Sequence, residues 1–356
     1  MSALKINIEK AEDKNAFKPY SLNGYRIEKP LTSDNSGFSK WGFCYKDGVE
    51  YFIKEFVNPV YPSDSVKLAD DIRQRKISQC LEWFDEKKRI YKKIHDSQTG
   101  NLVEPVAFFR NDSHFYLVTD KIDKSELDYK TISTFDLDRK LVLLKVLSSC
   151  FMRLAKNGVV HADIKPENLL VKETKGGFLT IKVIDFDASY LEDKPPFGDD
   201  IQGDPVYYAP ETFLGIMEEE VTLTPKVDVF GLGIVFHQLL CGEMPVYNTE
   251  EYDYVYECVL NEEMPQLNEE IPEDLRALIT RMLSLDHTAR PSMEEVLQIL
   301  SNYGKEPAPV EEAAPETAGD GFTGGLVFGS SLNTGSEAAP PPKKASRFSA
   351  ALDFDN

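Results

Sequence analysis

His161-Ala162-Asp163-Ile164-Lys165-Pro166-Glu167-Asn168-Leu169-Leu170 is the stretch whose reading decides the fold. A carboxylate, a cation and a carboxamide fall on one short segment: Lys165 two positions after Asp163, Asn168 five after it. Leu169-Leu170-Val171 reads as a short apolar strand that pins this loop. Upstream, Phe135 to Lys156 (FDLDRKLVLLKVLSSCFMRLAK) carries apolar residues at i, i+3 and i+4 and stops before Gly158, so the loop follows a long helix. Downstream, Lys182-Val183-Ile184-Asp185-Phe186-Asp187 is an apolar strand that ends in a carboxylate.

Phosphoryl transfer asks for a carboxylate to orient the attacking hydroxyl, a cation to neutralise the γ-phosphate, and metal ligands on a rigid turn. Asp163, Lys165 and Asn168 meet that demand, and Asp185 adds a second ligand. Here the chain resembles the eukaryotic-type (Hanks-type) Ser/Thr protein kinases. Their catalytic loop is H-R-D-x-K-x-x-N and their strand-end motif D-F-G, met here as HAD and DFD variants. The variants and the plain N-terminus suggest a bacterial eukaryotic-like member. The resemblance implies Asp163 and Lys165 as catalytic residues, Asn168 and Asp185 as magnesium ligands, and Mg-ATP as phosphoryl donor. Gly203 to Glu211 (GDPVYYAPE) resembles G-T-P-x-Y-x-A-P-E, Asp228 to Gly233 the start of the large-lobe core helix, and Asp286 to Pro291 the closing D-x-x-x-R-P. In the family the last glutamate and the arginine form a buried ion pair, so Glu211 and Arg290 are expected to meet.

The small lobe matches less closely. Phe43 to Tyr45 and Val49 to Phe56, around Asp47-Gly48, form a predicted hairpin. Towards its end it carries Lys54, similar to the family's V-A-I-K lysine on the α/β-phosphates. The phosphate-covering loop falls on Asp34 to Trp41, where only Gly37 is glycine. Ser36, Phe38 and Trp41 are its nucleotide-contacting candidates, with Trp41 above the adenine. Lys76 to Ile94 is a charged amphipathic helix that should supply a glutamate to Lys54. Counting back from Ile90 and Ile94 gives residues 86–87, hence Glu86, with Glu82 one turn earlier as the alternative. Phe115 to Ile122 resembles the strand leading to the hinge. It places Thr119 beside the adenine pocket, Asp120 and Ile122 on adenine, and Leu170 as its floor.

Two departures bear on regulation. Ala162 stands where the family has an arginine that binds a phosphorylated activation loop. Activity independent of activation-loop phosphorylation is therefore expected. Asp204 replaces a threonine between Asp163 and Lys165, and is read as either pairing with Lys165 or repelling Asp163. Lys343 to Ser349 (KKASRFS) marks Ser346 and Ser349 as candidate autophosphorylation sites.

The wider sequence agrees. Strands, then helices, suggest an α+β chain with a bilobal protein-kinase-like fold. Its expected divisions are an N-terminal extension (1–23), a small lobe (24–119), a hinge and large lobe (120–303) and a disordered, proline-rich tail (304–356). With 40 Lys+Arg against 60 Asp+Glu, the net charge is −20. That argues against nucleic acid and anionic membrane as partners and leaves a protein substrate and ATP. Five scattered cysteines without a CxxC pair, and no apolar leader, point to the reducing cytoplasm. The apolar run Val229 to Val246 contains His237, Gln238 and Glu243 and reads as a buried helix. Two other readings are a pseudokinase, which DFD, Asp204 and the glycine-poor loop would suit, and a small-molecule kinase, against which the 203–211, 228–233 and 286–291 segments argue.

Overall fold

A computed structural model describes residues 17–34, 39–97, 100–122 and 127–305. Ser36, Phe38, Ser346 and Ser349 lie outside them, as does the tail beyond residue 305. The small lobe is one antiparallel sheet of β1 (Tyr20–Leu22), β2 (Tyr25–Ile27), β3 (Ser39–Lys46), β4 (Val49–Phe56), β5 (Pro105–Asn111) and β6 (His114–Asp120), in the order β1-β2-β3-β4-β6-β5. Its first strand comes from the stretch read as an N-terminal extension. The β3–β4 hairpin forms at the predicted turn. Lys46 pairs with Val49, and Asp47 and Gly48 both take positive φ, 52° and 76°. That is the two-residue turn that Asp-Gly favours.

Alternation along β4 divides its side chains between the two faces. Tyr51 and Ile53 join Tyr25, Ile27, Cys44 and Val118 in the outer cluster. Phe56 faces the other way and meets Trp83 and Phe108 edge-on, at ring-centroid separations of 5.1 and 6.0 Å. Lys54 shares the face of Phe56, so the strand aims it between the lobes. Trp83 belongs to α1 (Asp70–Asp96), which starts well before the predicted Lys76. Asp70 and Asp71 in its first turn suit the positive end of the helix dipole. Cys80, Ile90, Tyr91 and Ile94 form its buried face.

The large lobe runs through α2 (Tyr129–Ser133), α3 (Leu137–Lys156), β7 (Val159–Val160), β8 (Leu169–Glu173), β9 (Leu179–Val183) and β10 (Tyr190–Leu191), then α4 (Pro210–Ile216), α5 (Lys226–Cys241), α6 (Val255–Leu260), α7 (Glu273–Met282) and α8 (Met293–Asn302). Asp136 caps α3 by accepting the Arg139 N–H at 2.9 Å. Ser292 and Glu295 cap α8 reciprocally. Every residue of α5 from Val227 to Leu240 is buried, which accounts for the apolar run. Among the described residues no helix is long and apolar enough to cross a membrane. No disulfide joins the cysteines.

His237 fixes the exit of α5. Its Nδ1 donates to the Glu243 carbonyl at 2.9 Å, while its Nε2 accepts the Asn268 N–H at 3.0 Å. Only the neutral ring satisfies both, and burial lowers its pKa below the ordinary 6.5. The unfolded chain therefore binds a proton that the folded chain resists. His237 stabilises the fold above about pH 6.5, and that contribution is lost as pH falls through and below this value. Urea unfolding at pH 7.5 and 5.5 checks this. His237→Leu should be less stable at pH 7.5, because two part-buried hydrogen bonds to the backbone are lost, and its loss of stability on acidification should be smaller than the wild type's.

Candidate active site

The loop between β7 and β8 is held from below. The buried Asp228 carboxylate, at the start of α5, accepts the His161 N–H at 2.8 Å and the Ala162 N–H at 3.0 Å. Burial pushes its pKa up, and His161 with those N–H groups works against that push. Ala162 takes φ +67°, a conformation an alanine adopts only under constraint. Gly203 must be glycine beside it, since a Cβ there would sit 2.5 Å from the Ala162 carbonyl oxygen. The segment carrying Asp204 thereby comes up against the segment carrying Asp163.

Asn168 folds back on the loop. Its Nδ2 donates to the Asp163 carbonyl at 2.7 Å and to Asp163 Oδ2 at 2.9 Å. Lys165 Nζ lies 3.2 Å from Asp163 Oδ2 and 3.5 Å from Asp204 Oδ2. Of the two readings of Asp204, the structure shows pairing with Lys165, and the other Asp204 oxygen accepts the Val206 N–H at 3.1 Å. Burial lowers the Lys165 pKa, but the two carboxylates outweigh it and leave the group above its ordinary value. Asp163 Oδ1 is buried and takes no hydrogen bond. That oxygen keeps its capacity to accept a hydrogen bond.

Across the cleft, Lys54 Nζ bridges two carboxylates, Asp185 Oδ1 at 3.0 Å and Asp187 Oδ2 at 2.9 Å. Burial opposes its charge, and the two carboxylates together more than restore it. Asp185 also takes a left-handed φ, +62°. Its carboxyl is held below the ordinary range because Lys54 outweighs its burial, whereas burial and Asp185 push Asp187 up. Ile184 N–H bonds to the Asn168 carbonyl at 2.9 Å, which ties the two candidate metal-ligand segments together.

Between the lobes lies a cavity of about 590 Å³. Trp41, Lys54, Thr119, Asp120, Ile122, Leu170 and Asp185, all singled out from the sequence, line it. Trp41 reaches the cavity from β3, where it stacks on Phe52 at 5.9 Å. An adjoining cavity of about 560 Å³ takes in Asp163, Lys165 and Asp204, with Lys54 and Asp185 lining both. An apolar slot thus opens into a charged one, an arrangement that suits a flat base joined to a polyphosphate.

The carboxyl and carboxamide oxygens of Asp185 and Asn168 fit magnesium, a hard cation that takes oxygen ligands. Among the described residues no cluster of three or more His, Cys, Asp or Glu forms a cage for a metal. One carboxylate plus substrate phosphates is how this ion is ordinarily held.

The helix glutamate is a correction. Glu86 does not reach Lys54. It pairs with Lys194 at 2.5 Å, and Glu82 accepts the Ser78 hydroxyl at 2.9 Å. The residue that α1 turns towards the site is Lys87, whose Nζ donates to the Asp187 carbonyl at 2.5 Å and the Ser189 carbonyl at 3.4 Å. Burial lowers its pKa against the pull of Asp187 and Glu86. Helical phase carried the signal, since 87, 90, 91 and 94 share one face. Residue type alone favours Glu86, the carboxylate of that pair.

The protein-kinase-domain family model matches residues 66–300. The chain belongs to the protein kinase domain family. The matched stretch begins after β4, so the strand bearing Lys54 lies outside it. A serine/threonine-protein kinase of Drosophila persimilis is 31% identical over 232 residues, 63% of this chain and 29% of that protein. Protein kinase kin1 of Schizosaccharomyces pombe is 27% identical over 315 residues, 84% of this chain and 33% of that one. The chain spans about a third of the length of these curated relatives. Among solved structures, the Cydia pomonella granulovirus kinase PK-1 shares the fold, with a TM-score of 0.54 and 22% identity over 78% of this chain and 95% of that one.

Proposed function

We propose that this chain is a Ser/Thr protein kinase that moves the γ-phosphoryl group of Mg-ATP to protein hydroxyls. The observation that carries this reading is the unpartnered Asp163 oxygen, set between Lys165 and Asn168 where the apolar cavity opens into the charged one. Adenine fits the slot between Trp41 and Leu170, with Asp120 and Ile122 along its rim. Lys54 steadies the phosphates. Asp163 orients the attacking hydroxyl and takes its proton, and Lys165 offsets charge on the moving phosphoryl group. Asp185 and Asn168 would hold magnesium, which would supply neutralisation of phosphate charge. Lys165 in the loop favours Ser/Thr over Tyr by family resemblance. The acidic surface suits basic protein substrates.

The same reading includes independence from activation-loop phosphorylation. Between Asp187 and Pro210 the only hydroxyl residues are Ser189, Tyr190, Tyr207 and Tyr208. Ser189 and Tyr190 are buried, and Ser189 donates to the His161 carbonyl at 3.1 Å. Tyr207 and Tyr208 donate to Gln238 and to the Gly203 carbonyl. Lys194–Glu86 and Arg89–Asp193 tie the loop to α1 without a phosphate. Autophosphorylation is assigned to Ser346 or Ser349. The test is phosphatase treatment followed by γ-labelled ATP, magnesium and a basic acceptor protein. The treated enzyme is expected to keep its rate and to label serine and threonine. A rate lost on treatment and regained with phosphate on the 188–208 segment overturns the independence, and label on tyrosine alone overturns the specificity.

A further inference from the structure

In the resembled family, a lysine on the small-lobe sheet is oriented by a glutamate from the helix packed on it. Here that face of α1 presents a cation. Lys87 stands where the resemblance implies a carboxylate, and its Nζ reaches the Asp187 and Ser189 carbonyls. Glu86 is spent at the surface on Lys194, whose side chain is 59% exposed. The carboxylate that reaches Lys54 besides Asp185 belongs to the residue standing in place of the family's glycine: Asp187 Oδ2, 2.9 Å from Nζ.

The two departures account for each other. A glycine at 187 would leave Lys54 with Asp185 alone, and Asp185 is the residue assigned to magnesium. A glutamate at 87 would set a third carboxylate against Asp185 and Asp187. With lysine on α1 and aspartate on the strand end, the charges alternate: Lys87, Asp187, Lys54, Asp185. We propose that Asp187 is the positioning residue for Lys54, doing from the strand end what a helix glutamate does elsewhere, while Lys87 anchors α1 to the same segment through backbone carbonyls. The inference rests on the kinase reading for its catalytic consequence, but the pairing itself does not. The orientation of Lys54 then depends on residues 185–187 rather than on a carboxylate of α1. Asp187 keeps an anionic partner on Lys54 when Asp185 turns to a metal.

Two measurements on the full chain test this. In steady-state kinetics, Asp187→Asn keeps the side-chain shape and removes the charge. It should lower kcat/KM for ATP about tenfold or more, the scale of one hydrogen bond between charged groups. Glu86→Gln should cost less. Asp187→Gly should be impaired, and adding Lys87→Glu to it should restore part of the loss, a rescue that a merely structural role does not give. The second measurement needs no turnover. In thermal unfolding without nucleotide, the Tm losses of Lys54→Met and Asp187→Asn should be less than additive, whereas those of Lys54→Met and Glu86→Gln should add. Additive losses for the 54–187 pair, or a larger kinetic loss for Glu86→Gln than for Asp187→Asn, overturn the assignment. A wild-type chain that transfers no phosphate refutes the kinase reading instead, and the unfolding cycle still decides the pairing.

Discussion

Asp163→Asn should lower the rate of phosphoryl transfer by about 10²–10⁴-fold, the range supplied by a positioned proton acceptor, with almost no change in Tm. The geometry explains why these two effects separate. Asp163 Oδ2 accepts from Asn168 Nδ2 at 2.9 Å, and a carboxamide oxygen placed there accepts the same bond. The second position, Oδ1, has no partner to lose when it becomes NH₂. Lys165 loses one carboxylate but retains Asp204 at 3.5 Å. The substitution therefore removes the proton acceptor and little else. ATP binding, followed by calorimetry, should persist, because Asp163 lines the charged cavity and not the apolar one. Wild-type turnover by Asp163→Asn would move the chemistry to another residue.

The largest effect on stability should come from Arg290. Its two terminal nitrogens meet Glu211 at 2.6 and 2.8 Å, with side chains 0% and 7% exposed. Its Nε donates to the Ser284 carbonyl at 2.8 Å and its Nη1 to that of Lys226 at 3.0 Å. The guanidinium also lies 5.0 Å from the Phe230 ring centre, which fastens α4 and the start of α5 to the loop before α8. Arg290→Ala strands a buried carboxylate and should cost about 3–5 kcal/mol. In a unit of this size that is of the order of 10 °C in Tm. Lys156→Ala breaks a pair with Glu294 whose side chains are 56% and 67% exposed, and should cost under about 1 kcal/mol. A double variant, Glu211→Leu with Arg290→Met, should recover much of the single-variant loss, because burial without charge avoids the desolvation cost. Equal losses for Arg290→Ala and Lys156→Ala in thermal unfolding would contradict this ranking.

Legibility in the sequence followed the range of the interactions. The β3–β4 hairpin was readable because Asp47-Gly48 encodes its own turn, and α3 because its apolar period and the stop at Gly158 agree locally. The catalytic loop was readable because its residue types sit within ten positions. β5 was missed, since Pro105 to Asn111 has no alternation and is a strand only because β6 pairs with it. The Asp228 cradle for His161 and Ala162 spans 67 positions and leaves no local pattern. Lys87 failed for a different reason. Helical phase pointed at 86–87, but the choice within that pair followed residue type, and the carboxylate that reaches Lys54 beside Asp185 is Asp187, a hundred residues from Lys87.

The most direct test is stoichiometry of transfer. The full chain is given γ-labelled ATP, magnesium and a basic protein acceptor, and ADP formed is compared with phosphate bound to serine and threonine. ADP and bound phosphate rising together, Mg-dependent and absent in Asp163→Asn, is the expected result. Mg-ATP bound without ADP formation, or ADP formed only when a small metabolite is added, would contradict the assignment as a protein kinase.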